Sequence, residues 1–289
     1  MENLSFQSDS IIELLNTLFS SLFSSIDSNL YFILDNLIFI DHKIFEDSLL
    51  VNFLSNSFDN SLIIICNALL AGILIYYCFS HLLSHITYFK TQPFYFFIFR
   101  IILCTILMNF SLSICETIIN FINIISNSIL ELGNFHFENN ISFSNFIELT
   151  SEYAFDESFS LFSFNGILQS FYSFGFFNLL LSYSLRYILI RLFILLSPFA
   201  FISLSLDKFS NFFRNWFKSF IGLLFIQIIV ALILILGFSL DFASNTILNQ
   251  ILFLGIIFAI SKANQITIDL IGGINTSINA TFNTVFKNP

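Results

Sequence analysis

From residue 62 onward the chain alternates long apolar runs with short polar stretches, and the length of each run decides what it can be. Leu62 to Leu83 carries no Asp, Glu, Lys or Arg, and its roughly 22 residues reach ~33 Å as a helix, enough to cross ~30 Å of hydrocarbon. Phe94 to Cys115, residues 166–186, residues 219–238 and the shorter 247–260 predict four more spans. Tyr187 to Leu206 is equally apolar but is interrupted at Ser197-Pro198. It either continues the third span as a long tilted helix or re-enters from one face, and irregular backbone at that depth must be buried in protein or line a wet cavity. The expected fold class is therefore all-α: a polytopic integral membrane protein with about five transmembrane helices, amphipathic helices near the N-terminus and one Pro-interrupted membrane segment.

The polar stretches divide the chain. Residues 1–60 hold nine carboxylates and one cation, Lys43, and no run long enough to span, so they are expected outside the bilayer core. Ser10 and Glu13 form a capping-box pattern, and Ile11, Leu15, Leu18, Leu22 and Ile26 follow at helical spacing. Because no Lys or Arg lines the polar face, a protein partner suits this amphipathic helix better than anionic lipid. Tyr31 to Ile40, broken by Asp35, reads as a second short surface or docking helix. Residues 61–115 form a two-helix membrane hairpin, and 116–165 an acidic loop with seven carboxylates, no Lys or Arg, and an amphipathic helix over 118–130. Residues 166–262 are the membrane core with a basic loop at 207–218, and 263–289 the tail.

Composition supports this division. Mean hydropathy is +0.87 and only 10% of residues are charged, too few to cover a soluble globule of 289 residues. The 43 Phe reflect nucleotide bias rather than a Phe-based mechanism. Net charge is −9, but local signs matter more. Lys and Arg gather in cytoplasmic loops, so Lys90 and the Lys208, Arg214, Lys218 loop around Trp216 belong inside, and the cation-free 116–165 loop outside. Five crossings then place the N-terminus out and the C-terminus in, in a cytoplasmic membrane.

Candidate chemistry is sparse. Cys66, Cys78, Cys104 and Cys115 lack zinc-site spacing and read as buried thiols, with a Cys66–Cys115 disulfide open if the two helices bring them together. His81 and His85 share a helical face without a third ligand, and Glu148, Glu152, Asp156 and Glu157 read as a solvated acidic face. No nucleotide-binding loop, nucleophile elbow or metalloprotease motif occurs, so neither an enzyme nor a cofactor is expected. Arg186 and Arg191 are too far apart around a helix for a voltage-sensor ladder, and each needs a carboxylate, a carbonyl, headgroups or water. Gln227, mid-span, either bridges helices or lines a pore. Arg186, Arg191, Pro198, Trp216 and Gln227 are the structural or pathway candidates.

The order of an Arg-containing apolar segment, LLSPFAF, a linker ending in FFRNWFKSF and a run opening with LLFIQ resembles the TrbL-type polytopic subunit of conjugative type IV secretion systems. The resemblance covers roughly residues 180–275, with Arg186, Pro198, Trp216 and Gln227 as the family-like positions. It implies a noncatalytic, homo-oligomeric scaffold or channel subunit in the lipid bilayer. Such a subunit works beside other secretion-system subunits, including separate ATPases, and helps DNA or protein substrates cross. An acidic outer face would repel DNA phosphates there unless partners cover it. The alternative is a small-solute secondary transporter or permease subunit, which five spans fit poorly because they cannot form two equal inverted halves.

Overall fold

A computed structural model describes Thr17 and residues 28–46, 53–54, 61–87, 94–154, 164–206, 209–240 and 247–272. Among these there are eight helices and no strand. We label them α1 (Ser28–Ile38), α2 (Leu62–Thr87), α3 (Phe94–Asn109), α4 (Ser111–Phe137), α5 (Phe143–Ala154), α6 (Phe164–Ser203), α7 (Ser210–Phe238) and α8 (Ile247–Ile271), with a 3-10 turn at His42–Phe45. Five are long and apolar enough to cross a membrane: α2 over Leu62–Leu83, α4, α6 over Gly166–Ser203, α7 and α8. The chain is an all-α polytopic membrane protein. The expected helix over Ser10–Ile26, the Lys90 connector, Lys208, Asp156 and Glu157 lie outside the described residues.

α7 is the most buried of the five, packed between α4, α6, α8 and α5. Its buried stripe runs Trp216, Phe220, Leu223, Leu224, Gln227, Ile228, Ala231 and Leu234, the three-and-four spacing of a helix wrapped by neighbours. α2 is the outermost helix, touching α3 and α6, and leaves Ile65, Leu69, Ile75, Tyr76 and Phe79 exposed. In water such a face would be a liability; in a bilayer the lipid tails cover it.

Close approaches between helices rely on glycine. A Cβ on Gly237 would lie 2.8 Å from Cε2 of Phe146 (α5) and 3.3 Å from Cδ1 of Ile256 (α8). A Cβ on Gly133 of α4 would overlap Ile141 and lie 3.0 Å from Ile235 of α7. Small residues at helix contacts let backbones approach where lipid supplies no hydrophobic drive.

These contacts fix the relative directions. Gly133 beside Ile235 makes α4 and α7 parallel, and Gly237 beside Ile256 near the opposite ends of their helices makes α8 antiparallel to α7. The Arg100 Nε donates to the Leu204 carbonyl at the C-terminal end of α6, and Trp216 near the start of α7 donates to Phe193 O at 2.9 Å. The starts of α3 and α7 and the end of α6 thus share one end of the bundle with Arg100, Arg214 and Lys218. The acidic turn around Glu138 and the start of α5 lie at the other.

Three boundaries differ from the sequence reading. The second span does not run to Cys115: it breaks at Phe110 (φ −94°, ψ 10°), and α4 continues for 27 residues. Asn109 Nδ2 donates to Thr105 O at 2.8 Å and Thr105 Oγ1 to Ile101 O at 2.9 Å, side-chain competition that bends helices. One near-helical residue cannot reverse a chain, so α3 and α4 form one bent rod, and the 116–165 region is mostly helix. The basic loop 207–218 is also much shorter than expected, because α7 begins at Ser210 and takes Arg214, Trp216 and Lys218 with it. Lastly, α1 does not stay apart from the bundle; it packs on α5 and α6.

At Pro198 the helix continues. Proline has no N–H and would orphan the Ile194 carbonyl four residues back, but Ser197 Oγ donates to that carbonyl at 2.7 Å. Of the two courses open to residues 187–206, the chain takes the continuous one: α6 is 40 residues, ~60 Å at helical rise, about twice the hydrocarbon thickness.

Candidate functional site

The polar centre of the bundle is Arg186. Its residue is 1% exposed, midway along α6, where an exposed guanidinium would meet lipid. It is held by backbone: Nε donates to Leu223 O of α7 at 2.8 Å, and Nη1 to Ile38 O at 2.7 Å and Leu37 O at 3.3 Å. Its Cζ lies 5.8 Å from the Tyr183 ring centroid. Of the partners the sequence left open, carbonyls are the ones used. Those of Leu37 and Ile38 close the C-terminus of α1, where a helix leaves carbonyls unpaired and its dipole is negative.

Gln227 completes the clamp. It lies one turn beyond Leu223 on α7, fully buried, and its Oε1 accepts the Ile40 N–H at 3.2 Å. Arg186 and Gln227 together therefore satisfy the backbone of residues 37–40 as the chain leaves α1. At about 16 Å, α1 is too short to span a bilayer, yet it can sit deep because its loose end is satisfied by side chains. Gln227 is thus a helix bridge, though to α1 rather than to another span.

Asp35 wires the other side of α1. Its carboxylate accepts Phe143 N at 2.9 Å and Ser144 N at 3.0 Å, and also the Ser144 hydroxyl. Ser142 Oγ accepts Asn145 N at 3.0 Å. The first three amides of α5 are thereby capped, two of them by a residue 108 and 109 positions away. Burial pushes the Asp35 carboxyl above its usual range, opposed by the bonds from Ser144 and Phe143. The charge that looked like an interruption of an apolar cluster is a helix cap supplied in trans.

A polar stripe on α6 at four-residue spacing, Asn178, Ser182 and Arg186, faces α8. Asn178 Nδ2 donates to Ser261 Oγ at 2.7 Å, and Tyr183 OH donates to Ile260 O at 3.1 Å. Ser182, Tyr183, Arg186, Ile226, Ser261 and Asn264 line a cavity with room for about one water molecule. The four-residue spacing was legible in the sequence; its partners on α8 and the role of Asp35 were not.

The other candidates are placed apart. Arg191 Nη2 donates to Tyr187 OH at 2.9 Å and its Cζ lies 4.8 Å from that ring's centroid, so it is anchored along its own helix. Trp216 is 3% exposed, stacked on Phe220 at 5.4 Å and flanked by Phe201 and Phe213. It is a packing and hydrogen-bonding residue between α6 and α7, not a loop platform open to partners. Pro198 is buried. All four cysteines are free, so the Cys66–Cys115 disulfide does not form. His81 stacks on Tyr77 at 6.4 Å, and the His85 side chain lies outside the described residues.

Fold and site together define a multi-pass membrane protein whose interior is organised by a buried arginine bonded to its own backbone. Compared with protein-family models, curated proteins and solved structures, the chain matches none.

Proposed function

We propose that this chain is a noncatalytic scaffold or channel subunit of a conjugative type IV secretion apparatus in the cytoplasmic membrane. In this reading it assists passage of DNA or protein with energy from separate ATPase subunits. The observation that carries the reading is how the interior polar groups are used. Arg186, Gln227, Tyr183 and Trp216 all bond to backbone of this same chain, which suits a rigid structural subunit better than a carrier that must release and rebind a solute. The exposed apolar faces of α2 and α3 leave area for lipid and for neighbouring copies. The resemblance over residues 180–275 supplies the particular apparatus. Orientation follows from the basic end of the bundle: Arg100, Arg214 and Lys218 face the cytoplasm, with the N-terminus outside and the C-terminus inside.

The test is deletion of the gene in a conjugative donor, with plasmid transfer as readout and native purification of the complex. Transfer should fail and be restored by the wild-type chain, which should purify in a large assembly. A monomer in detergent whose unfolding temperature shifts with small solutes, and normal transfer without the chain, would reject the scaffold in favour of a transporter. For orientation, Asn140→Cys should label from outside in intact cells and Asn215→Cys only after permeabilisation.

A further inference from the structure

The Arg186 guanidinium has one nitrogen that the clamp does not use. Nη2 is buried and has no hydrogen-bond partner among the described residues, and Arg186 lines the small cavity between α6, α7 and α8. Arg186 also has no carboxylate partner there: the ion pairs found among the described residues are His42 with Glu46 and Lys43 with Asp41, both at the surface. The three carbonyls on Nε and Nη1 are dipoles, so the full positive charge remains uncompensated.

The cavity walls add donors rather than acceptors. Ser182 makes no hydrogen bond within the described residues, and it lies one helical turn from Arg186 on the same face. Ser261 already accepts from Asn178 Nδ2, which leaves its hydroxyl proton to give. The Tyr183 proton is committed to Ile260 O. Nη2, Ser182 and Ser261 thus bring N–H and O–H donors to a space with room for about one water. A water there would bring two protons of its own into a site already rich in donors. An acceptor with no protons and one negative charge accepts from all three and neutralises the guanidinium.

We infer that Arg186, Ser182 and Ser261 form a buried halide site, taking chloride as its natural occupant. Carboxylate, phosphate and sulfate are too large for the cavity. The anion completes the polar centre from the α8 side as the α1 carbonyls complete it from the other. Chloride therefore belongs to the folded state and stabilises it by mass action.

The experiment uses the full-length chain in detergent, its unfolding temperature followed at constant ionic strength as chloride replaces gluconate, with bromide and sulfate in parallel. A saturable rise with chloride and bromide and none with sulfate is expected, together with a bromide anomalous peak beside Arg186 in crystals. Ser182→Ala and Ser261→Ala should each raise the half-saturating chloride on the order of tenfold, the loss of one charge-assisted bond. Arg186→Gln should abolish the response, and the serine variants carry the test if that variant does not fold. Equal unfolding temperatures in chloride and gluconate, a crystal site without bromide signal, or serine variants with unchanged half-saturation would each overturn the assignment.

Discussion

Replacing Arg186 by leucine separates the local role of the clamp from its contribution to the whole fold. The change removes the donors to Ile38 O at 2.7 Å and Leu37 O at 3.3 Å. Hydrogen bonds from a charged group contribute about 1.5–3 kcal/mol each, and the longer bond belongs at the low end, so α1 loses about 3–4.5 kcal/mol of docking. The same change also removes a guanidinium whose insertion costs about 2.5–3.5 kcal/mol at the centre of a span. The two effects nearly cancel for the molecule but not for α1, which keeps the loss while the bundle takes the relief. The predicted result is an Arg186→Leu protein whose unfolding temperature stays within a few degrees of wild type. Its residues 28–45 should nevertheless exchange amide hydrogens roughly 10²–10³-fold faster, at about 1.4 kcal/mol per tenfold. Hydrogen exchange read by mass spectrometry in lipid nanodiscs measures both regions in one sample. Unchanged protection of 28–45 would refute the clamp, and so would loss of protection spread evenly over α7 and α8. Arg186→Lys should fall between, because an ammonium lacks the fork that reaches α1 and α7 together.

Other expectations follow from individual contacts. Gly237→Ala should destabilise by about 1–3 kcal/mol because its Cβ meets Phe146 at 2.8 Å, whereas Gly72→Ala, with nothing within 4 Å, should leave thermal unfolding unchanged. Trp216 is the single tryptophan, so emission of the whole protein should be blue-shifted and resistant to acrylamide; Trp216→Phe should cost about 1 kcal/mol for the lost bond to Phe193 O. Because Asp35 has a raised pKa in the folded chain, it binds its proton more tightly there than when unfolded. Its contribution is present below the unfolded value near 3.8 and is lost as pH rises through the raised folded value. Asp35→Asn should flatten that part of the stability profile, seen by comparing unfolding temperatures of the two proteins from pH 4 upward.

Run length and charge were enough to recognise an all-α membrane protein, because hydrocarbon thickness sets a span's length and burial of charge is costly wherever it occurs. Spans in α2, α7 and α8 were legible for that reason, and so was the importance of Arg186 and Gln227, polar groups that lipid would not tolerate unpartnered. The partners themselves were not legible. Asp35 and Phe143, or Arg186 and Ile38, lie more than a hundred residues apart, and no local pattern encodes which distant backbone group ends beside a side chain. The bend at Phe110 was missed because hydropathy does not distinguish one straight span from two joined helices, while the Thr105 and Asn109 back-bonds that produce the bend depend on rotamers. Trp216 stood beside cations in the sequence and took their exposure by association, whereas α7 turns it inward. Sequence alone determined which segments are helical and apolar and that a cation lay among them. Only the tertiary structure decided that a short N-terminal helix seats its carbonyls on that cation, because docking depends on the three-dimensional approach of α1, α6 and α7.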